Sequence, residues 1–278
     1  MAVQLKEERI KPFLRWAGGK TWFIDHLEAL LDGQHFANYY EPFLGGGSIF
    51  FSLSVTDAAA TLSDANTELI DTYISIRDNV EEVIQYFATY ENTSDFYYKL
   101  REKEPTDPFE RAARFIYLNH TSYNGLYRVN RKGKYNVPFG KRKSDTIDIE
   151  EIRKASRALV GANLLSGDFE NRGDVIHEGT LVFLDPPYTV SHNDNGFVQY
   201  NQSIFSIEDQ ARLARYIQFI MDRGAYFILM NAAHNAIREI FADCGRSMLV
   251  ERQSLIGGKN AKRGLTSELV FTNIELQE

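Results

Sequence analysis

Short apolar runs recur along the chain, separated by stretches of helical period. Asn38-Tyr39-Tyr40-Glu41, Ala59-Ala60-Thr61-Leu62-Ser63-Asp64, Leu164-Leu165-Ser166, Leu181-Val182-Phe183-Leu184-Asp185, residues 225–230 and residues 269–272 each have the length and composition of a buried strand. A glycine turn and an apolar helix start at residues 48–53 follow the first of these. Asn66 can cap a long helix running through Ile70, Tyr73, Ile74 and Ile76, and residues 207–221 predict another. The alternation predicts an α/β fold, a sheet with helices on both faces. Residues 68–157 break the pattern: they are mostly helical by period, then pass through a loop rich in Asn, Gly, Tyr, Lys and Arg. They are expected to form an inserted subdomain between the two parts of the sheet domain, residues 1–67 and 158–278.

Composition narrows the class. With 278 residues and 44% apolar content, the chain can bury a sizeable core around one large domain with an insertion. No apolar run reaches the length of a membrane span, and the charged first eleven residues lack the apolar centre of a signal peptide. The single cysteine, Cys244, excludes an internal disulfide and has no neighbours that mark a nucleophile. A cytoplasmic protein is expected.

Net charge is −7, which by itself argues against a nucleic-acid partner. The distribution reverses that. Residues 111–143 hold nine Lys or Arg and no acid, so the remainder of the chain carries −16. A second acid-free stretch contains Arg252, Lys259, Lys262 and Arg263. A solvated basic face is the plain alternative, but such faces usually interleave acids. Charges beyond about 10 Å are largely screened, so the local excess is what a nucleic acid would meet.

Three motifs carry candidate chemistry. In Asp185-Pro186-Pro187-Tyr188 an acid ends a buried strand, and two prolines then hold the backbone extended and keep the Pro186 carbonyl out of regular structure. A carboxylate, a free carbonyl and an aromatic face together suit a planar amine. Glu41-Pro42-Phe43-Leu44-Gly45-Gly46-Gly47-Ser48 joins a strand to a helix start, and Asp64 ends the next strand, where an acid can bind ribose hydroxyls. The dinucleotide fingerprint is incomplete, since Phe50 stands at its third glycine, and a bare tight turn is the alternative. Ala17-Gly18-Gly19-Lys20-Thr21 imitates the end of a phosphate loop, but Leu14 occupies the place of its first glycine, so the NTPase reading fails. A ligand loop covered by Trp16 remains, with Trp16 as simple core the alternative. No His/Cys metal-ligand cluster appears.

The ordered set resembles the Dam-type DNA adenine-N6 methyltransferases. The resemblance rests on Phe13-Leu14-Arg15-Trp16-Ala17-Gly18-Gly19-Lys20, the glycine loop at 41–48, Tyr123-Asn124-Gly125-Leu126-Tyr127-Arg128-Val129-Asn130, Asn136-Val137-Pro138-Phe139-Gly140 and the tetrapeptide at 185–188. It spans residues 12–273. Within the family the chain is most similar to the Gram-positive restriction-linked branch, through Gly167-Asp168-Phe169-Glu170 and Arg263-Gly264 with Ser267-Glu268. The resemblance implies a Rossmann-like S-adenosylmethionine-dependent sheet with an inserted helical DNA-recognition subdomain. It implies S-adenosylmethionine as cofactor, held by Trp16, Ala17, Gly18, Lys20, Glu41, Phe43, Gly45, Gly47, Ser48, Asp64, Asp168, Phe169 and Asp185. Asp185 and Pro186 would accept the two N–H bonds of the adenine N6 amine, and Tyr188 would stack on a base flipped out of the duplex. Arg15, Tyr123, Asn124, Leu126, Arg128, Asn130, Pro138, Lys141, Arg142 and Lys143 would contact DNA, with Arg128 reading guanine. Tyr127 and Tyr135 could instead pack the insert's own core. Leu126, Arg128 and Pro138 match members that act on GATC, which is the expected site, and a restriction endonuclease for the same site is a candidate partner. A catalytically silent DNA-binding regulator, or an enzyme acting on RNA or a glutamine side chain, are the competing readings. Asp185 stands where glutamine methylation favours Asn.

Overall fold

The computed structural model describes residues 3–55, 60–130, 132–140, 147–189, 205–253 and 265–275. Among the described residues, seven strands form the main sheet: β2 (Asn38–Glu41), β4 (Ala60–Asp64), β5 (Asn163–Ser166), β6 (Thr180–Leu184), β7 (Tyr226–Ala232), β8 (Arg246–Gln253) and β9 (Leu265–Thr272). Their order is β5-β4-β2-β6-β7-β9-β8. The first five run parallel; β9 pairs antiparallel with β7, and β8 antiparallel with β9. β1 (Val3–Leu5) and β3 (Leu53–Val55) make a separate antiparallel pair.

β6 is buried along its whole length, as a central parallel strand must be when both faces are covered. Its side chains alternate between two cores. Leu181 and Phe183 join one cluster with Leu27, Tyr39, Leu62 and Ile228; Val182 and Leu184 join the other with Tyr40, Leu213, Phe227 and Leu229. Helices α1 (Ile24–Leu31), α2 (Thr67–Phe87) and α5 (Ile149–Leu159) supply the first face, through Leu27, Ile70, Ile76, Ile152 and Leu159. Helices α6 (Ile207–Asp222) and α7 (Asn235–Ile240) supply the second, through Leu213, Ile217 and Ile237. The predicted sheet with helices on both faces is therefore the fold observed.

Asn66 caps α2 as expected, its side chain accepting from the Leu69 N–H at 3.2 Å. Helices α3 (Ser94–Glu102) and α4 (Pro108–Thr121) follow, and a satellite core of Tyr97, Leu100, Tyr117, Leu118, Tyr135 and Val137 forms between them and the loop at 123–139. The helix start expected at 48–53 is only a short 3-10 turn, Phe50–Ser52: at Leu53 the backbone extends to pair with β1. No described helix is long and apolar enough to cross a membrane.

Candidate active site

The strand order places four acids in a row. Asp168 follows β5, Asp64 ends β4, Glu41 ends β2 and Asp185 follows β6. These strands are parallel neighbours, so all four acids lie along one carboxyl edge. Connections from β2 run outward to β4 and β5, and those from β6 run the other way, so the order reverses between β2 and β6. A crevice at such a reversal is where open α/β sheets bind ligands. The loops carrying Phe43 to Gly47 and Asp185 to Tyr188 flank it.

Asp64 laces the glycine turn to the next helix. One carboxylate oxygen accepts from the Gly45 N–H and the other from the Asn66 N–H, both at 2.9 Å. Burial raises this carboxyl above the usual range, and the two N–H bonds oppose the rise. The Leu44 N–H reaches the Ser63 carbonyl at 2.9 Å, and the Tyr73 hydroxyl donates to the Gly45 carbonyl at 3.0 Å. Gly45 has φ +48°, and a Cβ there would come within 2.8 Å of the Trp16 indole, so glycine is required by both conformation and space. Trp16 lies over this turn and stacks on Tyr127 at 5.4 Å between ring centroids.

The tetrapeptide loop is held by Lys20. This lysine is 3% exposed; its N–H donates to Ser48 Oγ at 2.9 Å, and its ammonium donates to the Gly18 carbonyl at 2.8 Å and pairs with Asp185 Oδ2 at 2.8 Å. Asp185 Oδ1 is buried and has no hydrogen-bond partner among the described residues, and no described donor reaches the Pro186 carbonyl. Burial raises the Asp185 carboxyl to about 6, with Lys20 opposing the rise. The Lys20 ammonium also stands 4.9 Å from the centroid of the Tyr188 ring, whose hydroxyl donates to Glu268. Behind the loop, Thr189, Gln210 and Asn231 form a fully buried chain: Asn231 Nδ2 donates to Gln210 Oε1, Gln210 Nε2 to Thr189 Oγ1, and Thr189 Oγ1 to the Phe205 carbonyl, each at 2.9 Å. A satisfied network of this kind fixes a loop in one arrangement. Sequence reasoning found none of Glu268, Arg252, Gln210 or Asn231 as site residues, because the contacts join positions remote along the chain.

The residues along the edge fit a cationic ligand that carries an aromatic base. Acids line it, and Phe43 and Phe169 pack at 5.4 Å. Space is open beside Gly167, where a Cβ would meet nothing within 4 Å. Asp168 caps a short 3-10 helix through the Glu170 N–H at 3.0 Å and pairs with Arg212 at 2.8 Å. Glu41 accepts from the Tyr39 hydroxyl at 2.7 Å; burial raises its carboxyl to about 8, the Tyr39 bond opposing and the Asp185 charge adding to the rise. Glu41 is therefore largely protonated at neutral pH. A cation bound beside it would lower that value and release a proton, so affinity for a cationic ligand at this edge should rise as pH increases toward about 8. Calorimetric titration across pH, in buffers of different ionisation enthalpy, checks both the proton release and its sign.

A second surface lies on the loop after α4. Tyr123, Asn124, Leu126, Arg128, Asn130 and Pro138 are all exposed, while Gly125, Tyr135 and Val137 between them are buried. The loop is rigidly built. Asn124 has φ +55°, Tyr123 N–H donates to the Pro138 carbonyl at 2.8 Å, and the Tyr135 hydroxyl donates to the Leu126 carbonyl at 2.6 Å. Asn130 Oδ1 accepts from the Lys132 and Lys134 N–H groups at 2.9 and 3.1 Å, closing a turn. Arg128 Nε donates to Asn136 Oδ1 at 2.8 Å. Buried Asn119 ties this loop to the N-terminal segment at Arg15: Oδ1 accepts from the Arg15 N–H, and Nδ2 donates to the Arg15 and Gly125 carbonyls. Lys141, Arg142 and Lys143 lie outside the described residues.

Residues 16–255 match the family model of the D12 class N6 adenine-specific DNA methyltransferases. The chain is 32% identical over 282 residues to the Type II methyltransferase M1.LlaDCHI of Lactococcus lactis subsp. cremoris, covering 98% of each. It is 35% identical over 244 residues to the Type II methyltransferase M.MjaIII of Methanocaldococcus jannaschii, covering 80% of this chain and 84% of that one. It is 30% identical over 252 residues to the DNA adenine methylase of Escherichia coli strain K12, covering 88% and 89%. This chain belongs to the D12 class of N6 adenine-specific DNA methyltransferases, a family whose reaction implies S-adenosylmethionine as methyl donor.

Proposed function

We propose that the chain methylates the N6 amine of an adenine flipped out of duplex DNA, at the site built on Asp185, Pro186 and Tyr188. The observation that carries this reading is the buried Asp185 Oδ1, which has no hydrogen-bond partner among the described residues, next in the chain to a Pro186 carbonyl that no described donor reaches. An unmet buried acceptor is costly unless it serves a ligand. The two oxygens accept the two N–H groups of the exocyclic amine and draw its nitrogen out of conjugation with the ring. S-adenosylmethionine, when bound, supplies a sulfonium methyl to that nitrogen. Trp16, Ala17, Gly18, Lys20, Glu41, Phe43, Gly45, Gly47, Ser48, Asp64, Asp168, Phe169 and Asp185 hold the cofactor along the carboxyl edge. The surplus proton of the methylated amine leaves through the Asp185 carboxylate to water. Tyr188 stacks on the flipped base.

Residues 68–157 form the target-recognition unit, with the exposed set Tyr123, Asn124, Leu126, Arg128, Asn130 and Pro138 facing the duplex and Arg15 beside it. Lys141, Arg142 and Lys143 would supply positive charge for phosphates. The target is GATC, and a restriction endonuclease for that site is the natural partner, as the Type II names of two relatives fit. The enzyme works in the cytoplasm, beside its DNA.

Replacing Arg128 by alanine should lower kcat/KM on GATC duplexes by about 10- to 100-fold, the usual worth of a bidentate guanine contact, and should relax discrimination at that base pair. Rates on duplexes substituted one pair at a time check this. The whole reading is tested by transfer from radiolabelled S-adenosylmethionine to GATC and scrambled duplexes. Label in the N6 position of adenine in GATC alone is expected. A folded protein that labels no adenine in any DNA would refute it.

A further inference from the structure

The Tyr188 hydroxyl is not left to solvent. It donates to Glu268 Oε2, and Glu268, on β9, is 1% exposed. The other oxygen of that carboxylate accepts from Arg252 Nε, on β8, at 2.6 Å. The two strands pair Val250 with Glu268 and Arg252 with Thr266, so Arg252 and Glu268 are diagonal neighbours across the ladder. The Arg252 guanidinium lies 5.6 Å from the centroid of the Trp22 ring, and Trp22 is two residues from Lys20, which pairs with Asp185. The contacts therefore close a circuit around the tetrapeptide: Lys20 to Asp185, along the chain to Tyr188, then Glu268, Arg252, Trp22 and back to Lys20.

We propose that Glu268, charged and oriented by Arg252, is a positioning residue that holds the Tyr188 ring in the plane needed to stack on the substrate base. This rests on the reading of Tyr188 given above and adds to it the residues that aim the ring. A hydrogen bond at the far end of a tyrosine further restricts the side-chain torsions that orient its ring, and a carboxylate paired with arginine is a strong, directional acceptor for that end. Lys20 stands at the same ring, 4.9 Å from its centroid, so its ammonium and the Glu268 carboxylate together constrain the ring's position.

The test is a double-mutant cycle on the full chain with an adenine-containing duplex, reading kcat, cofactor affinity and melting temperature. Tyr188→Phe removes one oxygen and leaves the Arg252–Glu268 pair intact; Glu268→Gln keeps the volume of the side chain and removes its charge. Each single change should lower kcat about tenfold with cofactor affinity unchanged, the loss expected for a hydrogen bond to a charged group. In the Tyr188→Phe background, Glu268→Gln should cost little more, because its route of action is already gone. An equal loss from Glu268→Gln in both backgrounds would overturn the proposal, and so would wild-type kcat in Tyr188→Phe. The second outcome decides alone if Glu268→Gln does not fold. Tyr188→Ala separates the two levels. If it transfers methyl groups normally, the stacking role of Tyr188 falls and this inference with it. If it loses transfer while the cycle is additive, only the inference falls.

Discussion

Asp185→Asn should lower kcat by about 10³-fold or more, as removal of a preorganised electrostatic contact does, while cofactor affinity falls far less. The substitution conserves size. It removes the charge that accepts the amine's protons, and it faces the Lys20 ammonium, 2.8 Å away, with a neutral amide. Single-turnover transfer and equilibrium cofactor binding separate the two effects. The same carboxyl sets the pH dependence. Burial raises it to about 6, above the ordinary aspartate value of 3.8, so it is protonated below that pH and loses both its charge and an acceptor site. The rate of methyl transfer should fall as pH drops through about 6 and level off above it, and Asp185→Asn should flatten that limb of the profile.

Lys20→Met should have the second largest effect. Lys20 lowers the Asp185 carboxyl by its charge and by its hydrogen bond, so its removal raises that group beyond about 6 and shifts the acid limb of the rate profile upward. Near neutral pH a larger fraction of the enzyme would then carry a protonated Asp185 and be inactive. Breaking a buried ion pair costs about 3–5 kcal/mol when the remaining charge must stay buried. Asp185 can take up a proton instead, so the loss of stability should be smaller than that range and should grow with pH. Rate profiles and thermal melts over pH 5 to 9 show both. A profile in Lys20→Met with its limb unmoved would mean that Lys20 does not govern Asp185.

Different parts of the molecule were legible in the chain to different degrees, for physical reasons. β6 shows plainly because every residue from Thr180 to Leu184 is buried on a strand covered on both faces. The tetrapeptide shows because two prolines leave few backbone options. β8 does not show: it is an edge strand whose Arg246, Glu251 and Arg252 break the apolar alternation, as edge strands commonly do. The glycine loop and Asp64 were visible by spacing, but not that Asp64 spends one bond from each oxygen on the Gly45 and Asn66 N–H groups. Lys20 read as part of a ligand loop from its glycine neighbours; its pairing with Asp185 exists only once α1 and β6 are packed. The alternatives for the two tyrosines divide in the structure. Tyr135 belongs to the satellite core, whereas Tyr127 bridges that core to Trp16 over the glycine turn. The link between Tyr188 and Glu268 spans 80 residues and depends on strand register, which no local pattern reveals.

We propose that Asp185 presents an adenine N6 amine for methylation in GATC. This is tested most directly by mapping methylated adenines in the DNA of cells expressing this chain, beside cells expressing Asp185→Asn. N6-methyladenine at GATC is expected with the wild type, and none above background with the variant. Methylation at GATC that persists in Asp185→Asn, or an absence of N6-methyladenine with well-expressed, folded wild type, would contradict it.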